Sequence, residues 1–164
     1  MRPNKHKYYL DIALAVAKRS TCLRRCYGAV IVNNDEVIAT GYTGAPRGTS
    51  NCTDLNKCLR NELNITSGQN YELCRSVHAE TNAIISTSRK NMIGSTMYVV
   101  GFDPYTQEIL FNTDSCIMCK RIIINAGIKN VVYHNSVSPN QYIIKNVLSW
   151  INNDSVLTKS SREK

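Results

Sequence analysis

The sequence predicts an α/β sandwich of three layers, in which helices cover both faces of a central mixed sheet of about five strands. Three patterns predict it: an amphipathic helix near the start, a β-hairpin after it, and an alternation of helices with strands from residue 77 onward. The 164 residues are 43% hydrophobic and 20% charged, which suffices for one domain with a hydrophobic core. We therefore expect a single domain over residues 1–152 and a mobile C-terminal tail over 153–164.

The first half of the chain supplies one helix and one hairpin. Over residues 5–19, apolar side chains recur at spacings of three and four, which is typical of an amphipathic helix. Residues 27–42 contain two short β-rich runs on either side of a turn at 33–35, which predicts a hairpin. Residues 49–73 are polar and show no clear period, so we expect a long loop containing a helical turn. Loops of that length are usually functional or held in place by other contacts.

The second half of the chain alternates between the two kinds of element, as its apolar periodicity indicates. The expected elements are, in order, a helix at 77–88, strands at 96–100 and 109–111, a helix at 116–126 with Gly127 as its C-cap, a strand at 131–133 and a final helix at 142–151.

Composition and charge exclude several classes of protein. No apolar stretch approaches roughly 20 residues, and charged residues interrupt the segment after the basic start, so we expect no membrane span, no signal peptide and a cytoplasmic protein. The net charge of +8 favours an anionic partner. Aromatic residues make up 7% of the chain and are not interleaved with basic ones, so a phosphorylated small molecule is favoured over nucleic acid.

Two short motifs contain the candidate catalytic residues, and each begins a predicted helix. His78 and Glu80 form a His-x-Glu motif, and Cys116 and Cys119 form a Cys-x-x-Cys motif. Residues three apart at a helix start share a face, so the two cysteines are spaced to hold one metal ion. With His78 they give three ligands and leave a fourth tetrahedral position for water, as in catalytic zinc sites. Zinc lowers the pKa of bound water to roughly 7, and Glu80 is placed to move protons beside the ion without binding it.

These motifs resemble the signature of the zinc-dependent nucleobase deaminases, which is His-x-Glu followed by Pro-Cys-x-x-Cys. In that family a hydroxide attacks C4 of cytosine or C6 of adenine, the glutamate relays protons and ammonia leaves. Flanking segments narrow the resemblance to the deoxycytidylate deaminases of bacteria and phages, including the late-competence-operon type. These segments are Ser20–Arg25, Gly28–Val32, Gly41–Gly48, Asn51–Asp54 and Ile123–Lys129, within a resemblance that covers about residues 8–135.

The resemblance implies hydrolysis of deoxycytidine monophosphate (dCMP) to deoxyuridine monophosphate (dUMP) and ammonia. It implies His78, Cys116 and Cys119 as zinc ligands, Glu80 as proton shuttle, and Thr43 and Ala79 beside the substrate. It also implies a homo-oligomer, often a hexamer, that is activated by dCTP and inhibited by dTTP with Mg²⁺.

Two alternative functions remain open at this point. One is a zinc deaminase that acts on cytidine, a pterin or riboflavin precursor, or a tRNA adenosine. The other is a non-catalytic, zinc-stabilised module that binds nucleotides. Glu80 argues against the second, because a purely structural site has no use for an unliganded carboxylate beside an open metal position.

The chain departs from the family pattern in three places. Ser115 stands where proline is usual, and serine can serve there as a helix N-cap. His78 and Cys116 lie 38 residues apart, a longer separation than the family pattern, and the surplus in 101–114 is expected to be an inserted hairpin. Thr43 replaces the asparagine of a Gly-Tyr-Asn-Gly loop near the sugar, and its hydroxyl has a shorter reach. This substitution predicts that recognition of the sugar is altered or moved to another residue.

Five cysteines lie outside the Cys-x-x-Cys motif. Four stand at positions that resemble the extra cysteines of bacterial and phage deaminases, some of which hold a second, structural zinc: Cys22, Cys52, Cys58 and Cys74. Such a site would hold the long loop against the rest of the domain. The alternative is that some of the four are buried thiols, as Cys26 is expected to be. His6 and His134 belong to no motif and are expected at the surface.

Arginines near the motifs are candidates for binding a phosphate group, because a guanidinium binds phosphate through two parallel hydrogen bonds. The candidates are Arg24, Arg25 and Arg47, with Arg75 nearby. For each of them the alternative is a solvated surface charge.

Overall fold

The computed structural model describes residues 2–135 and 141–158. Six strands lie in these ranges: β1 (Cys26–Asn33), β2 (Glu36–Tyr42), β3 (Thr96–Phe102), β4 (Ile109–Leu110), β5 (Asn130–His134) and β6 (Tyr142–Asn146). They form one mixed sheet in the order β2-β1-β3-β5-β6, and β4 pairs with β3 beside this path. β3 and β5 run parallel, and the other described pairs are antiparallel.

Seven α-helices lie in the described part of the chain: α1 (Lys5–Ala17), α2 (Cys52–Leu55), α3 (Leu59–Glu62), α4 (Ala79–Ile84), α5 (Arg89–Met92), α6 (Ile117–Ala126) and α7 (Leu148–Asn152). Single 3₁₀ turns occur at Tyr71–Leu73 and Asp154–Leu157. The long loop thus contains two short helices and a 3₁₀ turn where the sequence predicted one helical turn. Of the helices described here, none has the length and apolar character needed to cross a bilayer.

Alternate side chains of the central strands form two separate hydrophobic layers. On one face, Val30 and Val100 pack with Tyr9, Leu10 and Ala13 of α1. On the opposite face, residues from the same strands pack with α4, α6 and α7: Ala29, Ile31, Met97, Val99, Val131 and Tyr133. This alternation buries both sides of the sheet. The predicted three-layer sandwich with a mixed sheet is confirmed.

Both predicted hairpins are present. β1 and β2 are joined at Asn34 and Asp35, which both have positive φ, as a tight hairpin turn requires of its two central residues. In the inserted segment 101–114, β3 turns back through β4, and Gly101 and Phe102 pair with Leu110 and Ile109. The insertion therefore extends the sheet rather than forming a separate unit.

The predicted final helix at 142–151 is wrong in its first half. Tyr142–Asn146 is a strand that pairs antiparallel with Asn130–His134, and the helix begins only at Leu148. A short apolar run fits a strand and a helix equally well, and the free edge of β5 decides between them by offering backbone hydrogen bonds. The helix that follows is short, and its Trp150 is buried against the core.

The folded part of the chain extends past the predicted end of the domain at residue 152. Asp154–Leu157 forms a 3₁₀ turn in which Val156 packs on the core and the Leu157 carbonyl accepts a hydrogen bond from Arg121 at 2.9 Å. The first part of the predicted tail, Asp154–Leu157, thus contacts α6, and residues 159–164 lie outside the described residues.

The two histidines that were expected to be exposed at the surface, His6 and His134, are partly or fully buried. His134 is buried in β5, and His6 is partly buried, with its Nδ1 atom 3.0 Å from the Tyr98 hydroxyl. His6 also packs its ring on Tyr142 of the strand that the sequence failed to predict.

Gly41 of β2 sets how closely α4 approaches the sheet. A Cβ atom at this position would overlap the backbone of Ala79 and Ala83, because no side chain separates the strand from the helix there. α4 begins at Ala79, directly after His78, so this contact also fixes where His78 lies.

We expect Gly41→Ala to lower the free energy of unfolding by about 1–3 kcal/mol, because the added methyl group forces α4 away from the sheet. Urea denaturation of the purified protein measures the change. Gly44→Ala is the matched control, since the nearest atom to its new Cβ is a side-chain oxygen of Thr21 at 3.2 Å. Equal stability losses in the two variants would contradict this account of Gly41.

Candidate metal centre and cavity

Two helix starts bring the predicted metal ligands together. α4 and α6 lie on the same face of the sheet and contact each other. His78 is the N-cap of α4, Cys116 is the N-cap of α6, and Cys119 lies in the first turn of α6. The Cys116 sulfur accepts the backbone N–H of Cys119 at 3.4 Å, so Cys116 takes the capping role that was expected of Ser115.

The three side chains form a compact donor set. Nδ1 of His78 lies 3.5 Å from the sulfur of Cys116 and 3.4 Å from that of Cys119. Zinc bonds of about 2.0–2.3 Å in a tetrahedron place such ligand atoms roughly 3.5 Å apart. One imidazole and two thiols therefore fit a zinc ion in both chemistry and spacing. Among the described residues, no other group of three potential ligands lies within 4.8 Å of one another.

The environment of the donor set favours one thiolate. A hydrogen bond from Cys119, with further support from His78, lowers the pKa of Cys116. The same bond between the two cysteines, together with burial, raises the pKa of Cys119. Burial opposes the protonated form of His78, but its hydrogen bond with Cys116 and the charge of Glu80 outweigh this effect and raise its pKa. The thiolate form of Cys116 is thus favoured, and a cation bound among the three side chains would displace their remaining protons.

Glu80 lies beside the donor set and is almost completely buried, with 7% of its surface exposed. Burial raises the pKa of its carboxyl group above the ordinary value, and the negative charge of Cys116 adds to this while His78 opposes it. Glu80 is not a member of the three-ligand group, although it borders the same cavity. A carboxyl group in this environment is suited to exchange protons with a bound molecule.

The segment before the metal-site helix is held by a buried ion pair. Asp114 pairs with Lys120 at 2.7 Å, and Lys120 has only 4% of its surface exposed. The ammonium group also lies over the ring of Trp150, 5.2 Å from the ring centre. These contacts connect the wall of the cavity to the last helix of the domain.

A cavity of about 520 Å³ opens beside the metal centre. His78, Glu80 and Cys116 line it. Other predicted site residues also line it: Cys22, Arg24, Arg25, Thr43, Cys52, Cys58, Cys74 and Arg75. The volume is that of a small-molecule pocket.

Two predicted substrate contacts do not line this cavity. Arg47 is exposed, and Ala79 is fully buried beneath the start of α4. Their roles stay predictions. Thr43 is buried in the wall, where its backbone bonds to Tyr27 and Thr21 fix the loop.

Sequence reasoning missed two residues that the long loop contributes to the cavity wall, Arg60 and Tyr71. The guanidinium of Arg60 lies 4.8 Å from the centre of the Tyr71 ring, and that ring meets the ring of His78 edge-on at 4.7 Å. The loop sequence has no periodicity from which a buried position could be inferred. A single arginine in such a loop is ordinarily a surface residue.

The second set of cysteines also meets at this cavity. Burial raises the pKa of the Cys22 and Cys52 thiols, and Cys58 and Cys74 lie close enough to raise both further. No three of these sulfurs are as close together as the ligand atoms of the metal centre within the described residues. The structure thus brings the four predicted residues to the same cavity, but their sulfurs are not closed around one point.

Comparison with known families places the whole metal centre inside a recognised domain. Residues 3–135 match the family model described as the cytidine and deoxycytidylate deaminase zinc-binding region. This match covers His78, Glu80, Cys116 and Cys119.

Individual relatives agree with the family match. Over 136 residues the chain is 38% identical to a deoxycytidylate deaminase of Mycobacterium phage D29, which covers 80% of this chain and 95% of the relative. It is 35% identical over 135 residues to a deoxycytidylate deaminase of Schizosaccharomyces pombe, which covers 82% of this chain but only 38% of the longer relative. Among solved structures, the apo dCMP deaminase of cyanophage S-TIM5 has a TM-score of 0.56 and 26% identity, over 82% of this chain and 86% of that one.

We expect the purified protein to contain zinc and Cys119→Ser to contain one equivalent less per chain, because removing one of three ligands weakens the site severely. Metal analysis by mass spectrometry measures the stoichiometry. Met118→Ala is the matched control, because this residue lies between the two cysteines and is 40% exposed. A zinc content unaffected by Cys119→Ser would show that the ion binds elsewhere.

Proposed function

This chain belongs to the zinc-binding family of cytidine and deoxycytidylate deaminases, and from that membership we propose that it hydrolyses dCMP to dUMP. The reaction consumes one water molecule, breaks the bond between C4 and the amino nitrogen, and releases one molecule of ammonia. The observation that carries the proposal is the buried carboxyl group of Glu80, which lies beside three zinc-type ligands in the wall of a nucleotide-sized cavity.

Zinc held by His78, Cys116 and Cys119 would supply a Lewis acid that makes water nucleophilic at neutral pH. The remaining work falls to residues of the chain. Glu80 accepts a proton from the attacking water and transfers it to N3 of the base. It then takes the remaining proton of the hydroxyl group added at C4 and passes it to the amino nitrogen, which leaves as ammonia while C4 becomes a carbonyl carbon. The raised pKa of the Glu80 carboxyl supports this role, since a proton carrier has to exist in both states near neutral pH.

A related reaction on a different substrate is the second candidate. Thr43 lines the cavity where the family pattern has asparagine, and a threonine hydroxyl offers one short hydrogen-bonding group in place of an amide. This difference favours a changed contact to the sugar, so cytidine nucleotides or another carrier of the base are the alternative substrates. A non-catalytic nucleotide-binding module is disfavoured, because it would gain nothing from burying Glu80 beside the metal ligands.

We also propose a second, structural zinc at Cys22, Cys52, Cys58 and Cys74. The support is that all four line the same cavity and that Cys58 and Cys74 act electrostatically on both Cys22 and Cys52. Binding an ion there would draw the sulfurs together and hold α2 and α3 against the chain that leads to β1. Zinc binding energy is large enough to order a loop of this length.

Three further proposals follow from the resemblance. The protein is a homo-oligomer, with a hexamer the expected form. dCTP activates it, and dTTP inhibits it together with Mg²⁺. Its location is the cytoplasm, which the seven free cysteines support because thiol ligands persist in a reducing compartment.

We expect dCMP to give a higher kcat/KM than CMP, deoxycytidine or dCTP, because the cavity has both the deaminase centre and basic residues for a phosphate. Ammonia release measures each rate, with and without dCTP or dTTP and Mg²⁺, and light scattering measures the oligomer.

Glu80→Gln should lower kcat for dCMP by about 10²–10⁴-fold while retaining zinc, since it removes the proton carrier. A different best substrate would contradict the specificity, and full turnover by Glu80→Gln would contradict the mechanism.

We expect two zinc ions per chain in the wild type and one in Cys58→Ser, with a lower melting temperature because the long loop loses its anchor. Cys26→Ala is the matched control, since Cys26 is a buried thiol outside the set and its loss should leave both ions bound. Metal analysis and thermal unfolding measure both effects. One zinc per chain in all three proteins would exclude the second site.

A further inference from the structure

Two guanidinium groups lie on one segment of the long loop, in the wall of the cavity. Nη2 of Arg60 donates hydrogen bonds to the carbonyl oxygens of Thr66 and Gln69, at 3.1 and 2.6 Å. Nη2 of Arg24 donates to the carbonyl oxygen of Ile65 at 3.2 Å. Ile65 and Thr66 are consecutive, so the two guanidinium groups bind neighbouring carbonyl groups of the same loop.

Among the residues that the structure describes, these two charges have no negative partner. No ion pair involving Arg24 or Arg60 occurs within residues 2–135 and 141–158, although Arg60 is only 7% exposed. Nε of Arg60 and Nη1 of Arg24 are buried and lack hydrogen-bond partners. Carbonyl dipoles offset part of the positive charge, but buried cations without a counter-ion are destabilising. The arrangement is therefore suited to an anion.

The acidic residues of the cavity wall do not fill this need. Glu72 is exposed at the rim, Asp114 is paired with Lys120, and Glu80 lies at the metal centre. Basic residues add further positive charge to the wall: Arg25, Lys57 and Arg75. An anion in this cavity would consequently face an excess of positive charge.

The position of Arg60 relative to the metal centre suits a nucleotide. Its guanidinium stacks on Tyr71 at 4.8 Å, and Tyr71 contacts His78 at 4.7 Å, so one tyrosine ring separates the charge from a metal ligand. In a nucleoside monophosphate, one sugar separates the base from the phosphate. A pyrimidine at the metal centre can thus place its phosphate near Arg60.

We infer that Arg60, with Arg24 beside it, binds the phosphate monoester of the substrate and selects the nucleotide over the nucleoside. This inference rests on the proposed function. A bound phosphate would accept hydrogen bonds from guanidinium N–H groups that the loop carbonyls leave free, and its charge would offset that of the two arginines. Tyr71 holds the Arg60 guanidinium in place from the side of the metal centre.

The test is the ratio of kcat/KM for dCMP to kcat/KM for deoxycytidine. Arg60→Met should lower kcat/KM for dCMP by about 10- to 100-fold, which is the effect of losing a hydrogen bond to a charged group. The kcat/KM for deoxycytidine should change by less than about threefold. Arg60→Lys should recover part of the loss, because it restores the charge without the planar fork. Arg19→Met is the matched control, since Arg19 is exposed and outside the cavity wall.

A merely structural role for Arg60 would lower both rates equally, and that result would overturn the inference. Zinc content measured on every variant shows whether the metal centre is intact. Binding of inorganic phosphate, measured by calorimetry on wild type and Arg60→Met, separates the subsite from the reaction. Phosphate binding that requires Arg60 in a protein without dCMP turnover would refute the proposed function and keep the anion subsite. Turnover of dCMP with an unchanged ratio in Arg60→Met would refute the subsite alone.

Discussion

At Gly41 the backbone of β2 meets the backbone of α4 with no side chain between them, and the metal centre depends on this contact. The close approach determines how far His78 lies above the sheet. The helix α6 packs on the same face and determines where the sulfur atoms of Cys116 and Cys119 lie. Distances of 3.4 and 3.5 Å between the imidazole nitrogen and the sulfurs result from how these two helices pack. Glu80, one residue into α4, is buried by the same packing. The chemistry of the site is therefore fixed by backbone placement before any ligand binds.

The metal centre could be predicted because its information is local. His78 and Glu80 lie at the start of one helix, and Cys116 and Cys119 lie at the start of another. Within each pair, the spacing of the short motif determines the relative positions of the two residues. The hairpin of β1 and β2 was predictable for the same reason, since its turn lies between two short β-rich runs and consists of Asn and Asp, which tolerate the positive φ found there. Only the meeting of the two motifs needed the fold, and the alternation of helices with strands was enough to suggest it.

The parts that sequence reasoning missed depend on partners that are distant along the chain. Residues 142–146 became a strand because the edge of β5 accepts them, and their own periodicity could not show this. Arg60 is buried because backbone carbonyls of its own loop and the Tyr71 ring surround it, and a loop without periodicity gives no sign of such a position. His134 similarly looks like a surface residue until the sheet covers it. Local sequence patterns therefore do not determine which segments pair at the edge of a sheet or which residues of an irregular loop are buried.

The stacking of Lys120 on Trp150 limits how far the C-terminal end of the chain can be truncated without exposing a buried ion pair. The recognised domain ends at residue 135, yet the indole that shields this ammonium lies 15 residues beyond it in α7. A fragment trimmed to the domain boundary would keep every zinc ligand but would uncover the Lys120–Asp114 pair directly behind them. Water reaching that pair would weaken it and loosen the segment that leads into Cys116. The shortest fragment that keeps this packing thus includes α7, and a fusion partner or affinity tag belongs beyond it.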